Sequence, residues 1–165
     1  MSATKRRTKR YRPRPVYANA TDRAFASASP MTAAEVRELS LICEAALTGL
    51  LSPASTEEEA GRCWGNLATA ASMCQRLSAL GLGCGEQAEA VIEGALAALQ
   101  AVHDRGHAGN GWTMSPQETD AITWLVHVYT KVQLPATSYG EFARAFQATK
   151  NHVINAKAAP AAMAG

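Results

Sequence analysis

No stretch of this sequence is long and apolar enough to cross a bilayer: its hydrophobic runs last a handful of residues, against the roughly 18 to 20 that a spanning helix needs. Aromatics make up only 6% of the 165 residues, and Val, Ile and Tyr never gather into the alternating runs that mark strands. Both shortages argue against a membrane span and against a sheet. The four cysteines, Cys43, Cys63, Cys74 and Cys84, lie 20, 11 and 10 residues apart, which forms neither a CxxC pair nor zinc-finger spacing. They are expected to be reduced structural thiols, which suits the cytosol. No apolar stretch of about 7 to 15 residues follows the N-terminal charges, as a secretory signal requires. Those charges run instead into Arg12-Pro13-Arg14-Pro15-Val16-Tyr17 and an Ala/Ser-rich linker. GxSxG and HExxH are absent, and Glu57-Glu58-Glu59 reads as a solvated helix start rather than an acid and base pair. The expectation is a soluble, non-enzymatic protein with no cofactor and no metal.

What the chain does have is Ala, Leu, Glu and Gln, in a 17.4 kDa length that suits one domain and a 47% hydrophobic content that can fill one core. The fold class expected is all-α, a compact bundle of about five helices over residues 31–155. Thr32 with Glu35 forms a capping box for a helix over 32–51, where Val36, Leu39, Ile42, Cys43, Ala46, Leu47, Leu50 and Leu51 recur at helical steps up to Ser52-Pro53. A second helix starts at Ser55 with Glu58 or at Thr56 with Glu59. Its apolar face includes Cys63, Trp64, Leu67, Ala70, Ala71, Cys74, Leu77 and Leu80, and it ends in the turn Gly81 to Gly85. A third helix is predicted over 86–104 with Gly106 closing it. A fourth starts where Ser115, Pro116 and Glu118 agree and runs to Pro135. Ser138 with Glu141 opens the last, carrying Phe142, Ala145, Phe146, Thr149 and Val153, and residues 156–165 are expected to fray.

Charge is distributed unevenly. Residues 1–30 hold eight bases and one acid, a charge of +7, and the rest holds eight bases and thirteen acids, a charge of −5. Seven of the bases (Lys5, Arg6, Arg7, Lys9, Arg10, Arg12 and Arg14) fall within ten positions beside Pro13 and Pro15. Mutual repulsion and the prolines predict an extended, mobile arm available to a polyanion.

Other residue groupings were weighed for chemistry. The loop Gly81-Leu82-Gly83-Cys84-Gly85 lacks the Lys-Ser/Thr of a phosphate loop and reads as a helix-to-helix turn. His103 and His107, with Asp104, have the four-residue step of a helical metal pair, but Gly106 is expected to interrupt it and leave two exposed histidines at a helix end. His127 is expected to be partly buried, Trp64 and Trp124 to lie in or beside core faces, and Trp112 to be partly exposed. A helix-turn-helix across Thr123 to Val153 would offer Arg144, Gln147, Lys150 and Asn151 as its polar contacts. Gly61, Gly65, Ala68 and Ser72 form a small-residue edge on the second helix, suited to burial inside the bundle or to a homodimer.

The arm motif Lys9-Arg10-Tyr11-Arg12-Pro13-Arg14-Pro15-Val16, followed by Ser55-Thr56-Glu57-Glu58, Leu67, Leu77-Ser78-Ala79-Leu80-Gly81-Leu82-Gly83, Ala95-Leu96 and Arg105, resembles a family of small phage and prophage proteins of proteobacteria with a basic KYRPKPV-type start. The chain departs from that pattern at Cys84-Gly85 and in the added Lys5-Arg6-Arg7. The resemblance implies a phage or prophage origin and the bacterial host cytoplasm; it implies no activity. Two functions are therefore expected as alternatives. In one, the arm binds nucleic acid through Lys5, Arg6, Arg7, Lys9, Arg10, Arg12 and Arg14, with Tyr11 stacking on a base. In the other, the protein is a helical inhibitor or adaptor of a host protein complex, of the kind that blocks a defence system.

Overall fold

The computed structural model describes residues 27–82 and 86–158. The arm residues Lys5 to Arg14, the C-terminal tail beyond Ala158 and Cys84 of the glycine-rich turn lie outside these. The described chain is all-α, with no strand among its residues: α1 (Ala33–Leu51), α2 (Glu57–Ala79), α3 (Glu86–His107), α4 (Pro116–His127) and α5 (Tyr139–Ala158). Between α4 and α5 the chain stays helical through a π segment (Val128–Gln133) and one further turn, Leu134–Ala136.

Helix starts follow local chemistry. Thr32, Thr56 and Ser115 each accept from the amide of the residue three positions on, and Glu35, Glu59 and Glu118 reach back to the cap amides. Ser138 and Glu141 do the same for α5. For α2 the box is Thr56 with Glu59; Ser55 instead donates its hydroxyl to the Gly49 carbonyl, 2.7 Å away, and so ties the α1–α2 turn. α1 stops at Ser52, before Pro53, and the ends of α2 and α3 follow glycine. Gly81 (φ 81°) ends α2, with Leu82 N–H donating to Leu77 O and Gly81 N–H to Ser78 O.

The end of α3 corrects the sequence reading. Gly106 does not close the helix; Gly109 (φ 74°) does, with Asn110 N–H donating to Arg105 O and Gly109 N–H to Gly106 O. Gly106 has a packing role instead, since a Cβ there would lie 2.5 Å from Cε2 of Trp112. The indole fills the space that a side chain would need.

α2 is the central helix, packed against α1, α3, α4 and α5. Leu67, Met73, Cys74 and Leu77 on α2 meet Ile122, Leu125 and Leu134, with Val102 of α3, in a fully buried core. Gln133 of the π segment is buried among them. Its Nε2 donates to Cys74 O (3.1 Å) and Ser78 Oγ (2.9 Å), which ties the segment to α2. The wide turns fall just before Pro135, whose ring and missing N–H break an α ladder, and Leu134 N–H reaches back five residues to Tyr129 O. α5 lies against α2 through Ala145 and Thr149, and Arg76 Nε donates to Thr149 Oγ1 at 3.1 Å.

Candidate functional site

Although the arm itself is not described, the point at which it joins the body is. Ser27 and Ala28 are helical, and Pro30 pairs with Ser138 in an isolated antiparallel bridge. Tyr139 N–H donates to Ser29 O (3.0 Å) and Met31 N–H to Thr137 O (3.2 Å). Ser27 sits so close over Gly140 that a Cβ there would lie 2.7 Å from the Ser27 carbonyl oxygen. Residues 27–31 therefore lie against the first turn of α5.

That helix presents an unusual face. Ala145 and Thr149 are buried, while Tyr139 (53% exposed), Arg144, Phe146 (47% exposed) and Lys150 face solvent. Phe146 stacks on half-buried Phe142, ring centroids 6.2 Å apart and planes within 7°. The acid of this helix within the described side chains, Glu141, is half-buried and engaged: Ser138 Oγ donates to it at 2.7 Å. That bond, more than the nearby Arg144 charge, holds its carboxyl below the usual range.

Aromatic and imidazole rings gather at the other end of the bundle. Trp64 of α2 lies 4.6 Å from His103 and 6.0 Å from Trp112, and His103 lies 4.2 Å from His107. The α3 helix continues through Gly106, so the two imidazoles are close neighbours with their planes tilted by 53°; His107, the last residue of the helix, is exposed as expected, and His103 is half-buried. Trp64 Nε1 donates to Leu99 O at 2.8 Å, whereas Trp112 Nε1 is buried without a partner. Trp112 is half-buried: its loop is clamped by Arg105, which donates to Thr113 O (2.8 Å) and to both carboxylate oxygens of Glu118. Among the described residues no group of three His, Cys, Asp or Glu could hold a metal.

Two depressions flank these features. One, about 490 Å³, is lined by Leu50, Pro53, Ser55, Ala60, Trp112 and Met114. The two serine hydroxyls on its wall are tied to backbone: Ser55 Oγ donates to Gly49 O and Ser52 Oγ accepts from the Ala54 amide. The other, a groove of about 610 Å³ between α1 and the π segment, is walled by Met31, Val36, Leu41, Thr130 and Pro135, and Lys131 bridges to Glu44 at 3.1 Å. On α4, Trp124 is 58% exposed, with exposed His127 edge-on to it at 5.7 Å. The sequence reading expected His127 to be partly buried and Trp124 to lie in or beside a core face. They fall between the buried positions Ile122, Leu125, Val126 and Tyr129, on the side of α4 that no helix of the described residues covers.

The small-residue edge of α2 divides. Gly61 lies under the Trp112 ring, 3.5 Å from Cζ2, whereas an added Cβ at Gly65 would meet nothing within 4 Å. Cys43 and Cys63 are free thiols, and burial pushes Cys43 up to about 11. Tyr129 is likewise pushed well above the usual phenol range by burial. Both stay protonated and act as packing groups.

Fold and surface together define an all-α bundle, with the strongly basic segment of the sequence outside the described residues. No protein-family model, curated protein or solved structure matches the chain.

Proposed function

We propose that the chain is a non-enzymatic accessory protein, of the phage or prophage setting its arm motif implies, which binds nucleic acid through its basic arm in the host cytoplasm. The observation that carries this reading is the charge segregation, +7 within residues 1–30 on a body of −5. Seven closely spaced bases can displace condensed counterions from a polyphosphate, while the acidic body stays off the strand. Contacts of this kind position a protein but do not specify sequence. With all seven engaged, the log-log dependence of affinity on salt would approach a slope of about −6 on duplex DNA. A mobility-shift titration at two salt concentrations, with the full chain and with residues 1–15 deleted, tests the reading. Binding that is lost with the arm supports it; equal affinity of both chains, or no binding by the full chain, overturns it.

A second reading, an inhibitor or adaptor docked on a host protein, draws on the apolar groove between α1 and the π segment and on exposed Leu41 and Trp124. Exposed aromatics of this kind anchor protein interfaces. A pull-down from nuclease-treated host lysate separates the two. One stoichiometric protein captured by the wild type and lost with Trp124→Ala favours the adaptor, and loss of every partner with the nuclease favours the arm.

A further inference from the structure

We propose that His103 and His107 of α3 form a two-nitrogen site for an exchangeable divalent transition metal of the imidazole-preferring class (Ni²⁺, Cu²⁺ or Zn²⁺), with Asp104 orienting His103 and water completing the coordination. The site goes beyond the nucleic-acid reading and does not depend on it.

Four observations converge. First, α3 is helical through Gly106 to His107, and the hydrogen bond from Ala108 N–H to Asp104 O (3.0 Å) carries the winding one residue further. Residues four apart on such a helix are neighbours on one side of it, so the interruption that Gly106 suggested in the sequence is removed. Second, the two imidazole centres lie 4.2 Å apart with their planes tilted by 53°. One ion held at about 2.1 Å by a nitrogen of each ring sets the two centres roughly 4.5 to 5 Å apart, and a small side-chain rotation reaches that geometry. Third, Asp104 Oδ1 faces His103 Nδ1 at 3.4 Å and accepts from Gln100 Nε2 at 2.7 Å. A carboxylate against one ring nitrogen fixes the tautomer and leaves the lone pair of the other nitrogen for a metal, the arrangement that stands behind ligating histidines. Fourth, solvent reaches both rings: the His103 side chain is 32% exposed, and His107 is exposed.

The surroundings suit a cation. Trp64, 4.6 Å from His103, and Trp112, 5.7 Å from His107, pack beside the imidazoles and restrict their movement. Arg105, the cation next to them in sequence, is engaged by the Glu118 carboxylate and the Thr113 carbonyl, while Asp104 adds a negative charge beside His103. The last turn of α3 also carries the negative end of the helix dipole. Two protein nitrogens are fewer than the four ligands that close a structural zinc site or the three of a catalytic one, in keeping with the absence of a three-ligand group among the described residues. The ion is therefore exchangeable and takes water in its remaining positions. Donor type sets the preference: imidazole suits copper, nickel and zinc, whereas Mg²⁺ takes oxygen ligands.

The test is a titration of the full chain with Ni²⁺, and with Mg²⁺ as the oxygen-preferring comparison, read by isothermal calorimetry. A parallel titration in a Trp124→Phe background reads quenching of Trp64 and Trp112 fluorescence. The variants are His103→Gln, His107→Gln, Asp104→Asn and, as a control, His127→Gln with His152→Gln, the other two histidines of the chain. Circular dichroism reports whether each variant is folded, and His107→Gln replaces an exposed side chain, so the outcome does not hang on His103, which packs on Trp64. One Ni²⁺ per chain is expected, with quenching of the two tryptophans. Affinity is expected to fall at least tenfold in either single histidine variant and by about tenfold in Asp104→Asn, and to be unchanged in the control. Saturating Ni²⁺ should raise the thermal midpoint of the wild type and leave that of His107→Gln where it was. Absence of saturable Ni²⁺ binding, equal binding of Mg²⁺, a His107→Gln chain that binds like wild type, or a loss confined to the control variant each overturns the proposal. Unchanged affinity in Asp104→Asn overturns the part assigned to Asp104.

Discussion

Gly106 and Gly65 are both helical glycines, yet their surroundings give them opposite responses to an added methyl group. At Gly106 the new Cβ would meet three atoms of the Trp112 ring within 2.8 Å, and that ring is held by the clamped loop, so it cannot withdraw cheaply. Gly106→Ala is expected to lower stability by about 2 kcal/mol, within the usual range for overpacking. At Gly65 the space is open, and Gly65→Ala is expected to raise stability by up to about 1 kcal/mol through helix propensity alone. Urea midpoints of the two variants, read by circular dichroism, check both signs. Thiol chemistry gives a second test at this scale. Cys43 and Cys74 are buried, and burial raises Cys43 to about 11, so thiolate is scarce there at neutral pH. An aromatic disulfide reagent should leave both unmodified in the native protein for the time in which it titrates them completely in denaturant.

Helix ends govern the response to acid. Glu35 and Glu59 are held below the usual carboxylate range chiefly by the amides of Thr32 and Thr56, Glu118 by the Arg105 guanidinium, and Glu141 by the Ser138 hydroxyl. A carboxyl whose folded pKa is depressed contributes stability that is fully present above its unfolded value and is lost as pH falls through the folded one. The urea midpoint is therefore expected to be flat from pH 7 to about 5 and to fall below about 4.3, the ordinary glutamate value. Glu118→Gln should lower the midpoint at pH 7 and make the acid slope shallower, because it removes one titrating group and the Arg105 clamp together. Ser115→Ala, which removes the cap acceptor of α4, should cost about 1 kcal/mol. The π segment matters in a different way: it turns Gln133 inward to α2, where its Oε1 lies buried without a partner.

For the whole molecule, the connection through Ser29 to Met31 sets what truncation can do. Cutting before Ser27 removes the +7 charge and leaves −5, while the bridge to Ser138 and the described core remain. The truncated chain is expected to keep its helical circular dichroism and to move from cation-exchange to anion-exchange retention at pH 7; loss of helicity would show that the first 26 residues are structural. Light scattering of wild type and Gly65→Leu tests self-association along the open edge of α2. A dimer that the substitution splits would double the arms on one particle and raise avidity on a long strand by about 10²-fold or more.

The sequence alone determined the features that depend on neighbours within a few positions. Thr32 with Glu35, Ser115 with Pro116 and Glu118, and Ser138 with Glu141 announced three helix starts, because a cap is a contract between residues three apart. The apolar steps of α2 announced its buried face from Leu67 to Leu77, although Leu80, counted with it, is exposed, and the count of charges located the basic segment. Tertiary structure decided the rest. Gly106 looks like a terminator until Trp112 is seen lying on it, and His103 and His107 become close neighbours because the helix continues through it. Trp124 looks like core because composition cannot tell which side of α4 its neighbours leave bare. Tyr139, Arg144, Phe146 and Lys150 of α5 were visible as letters, but their exposure depends on α2 covering the side of that helix that carries Ala145 and Thr149. Periodicity shows that a helix has faces; packing between segments far apart in the chain decides which of them is covered.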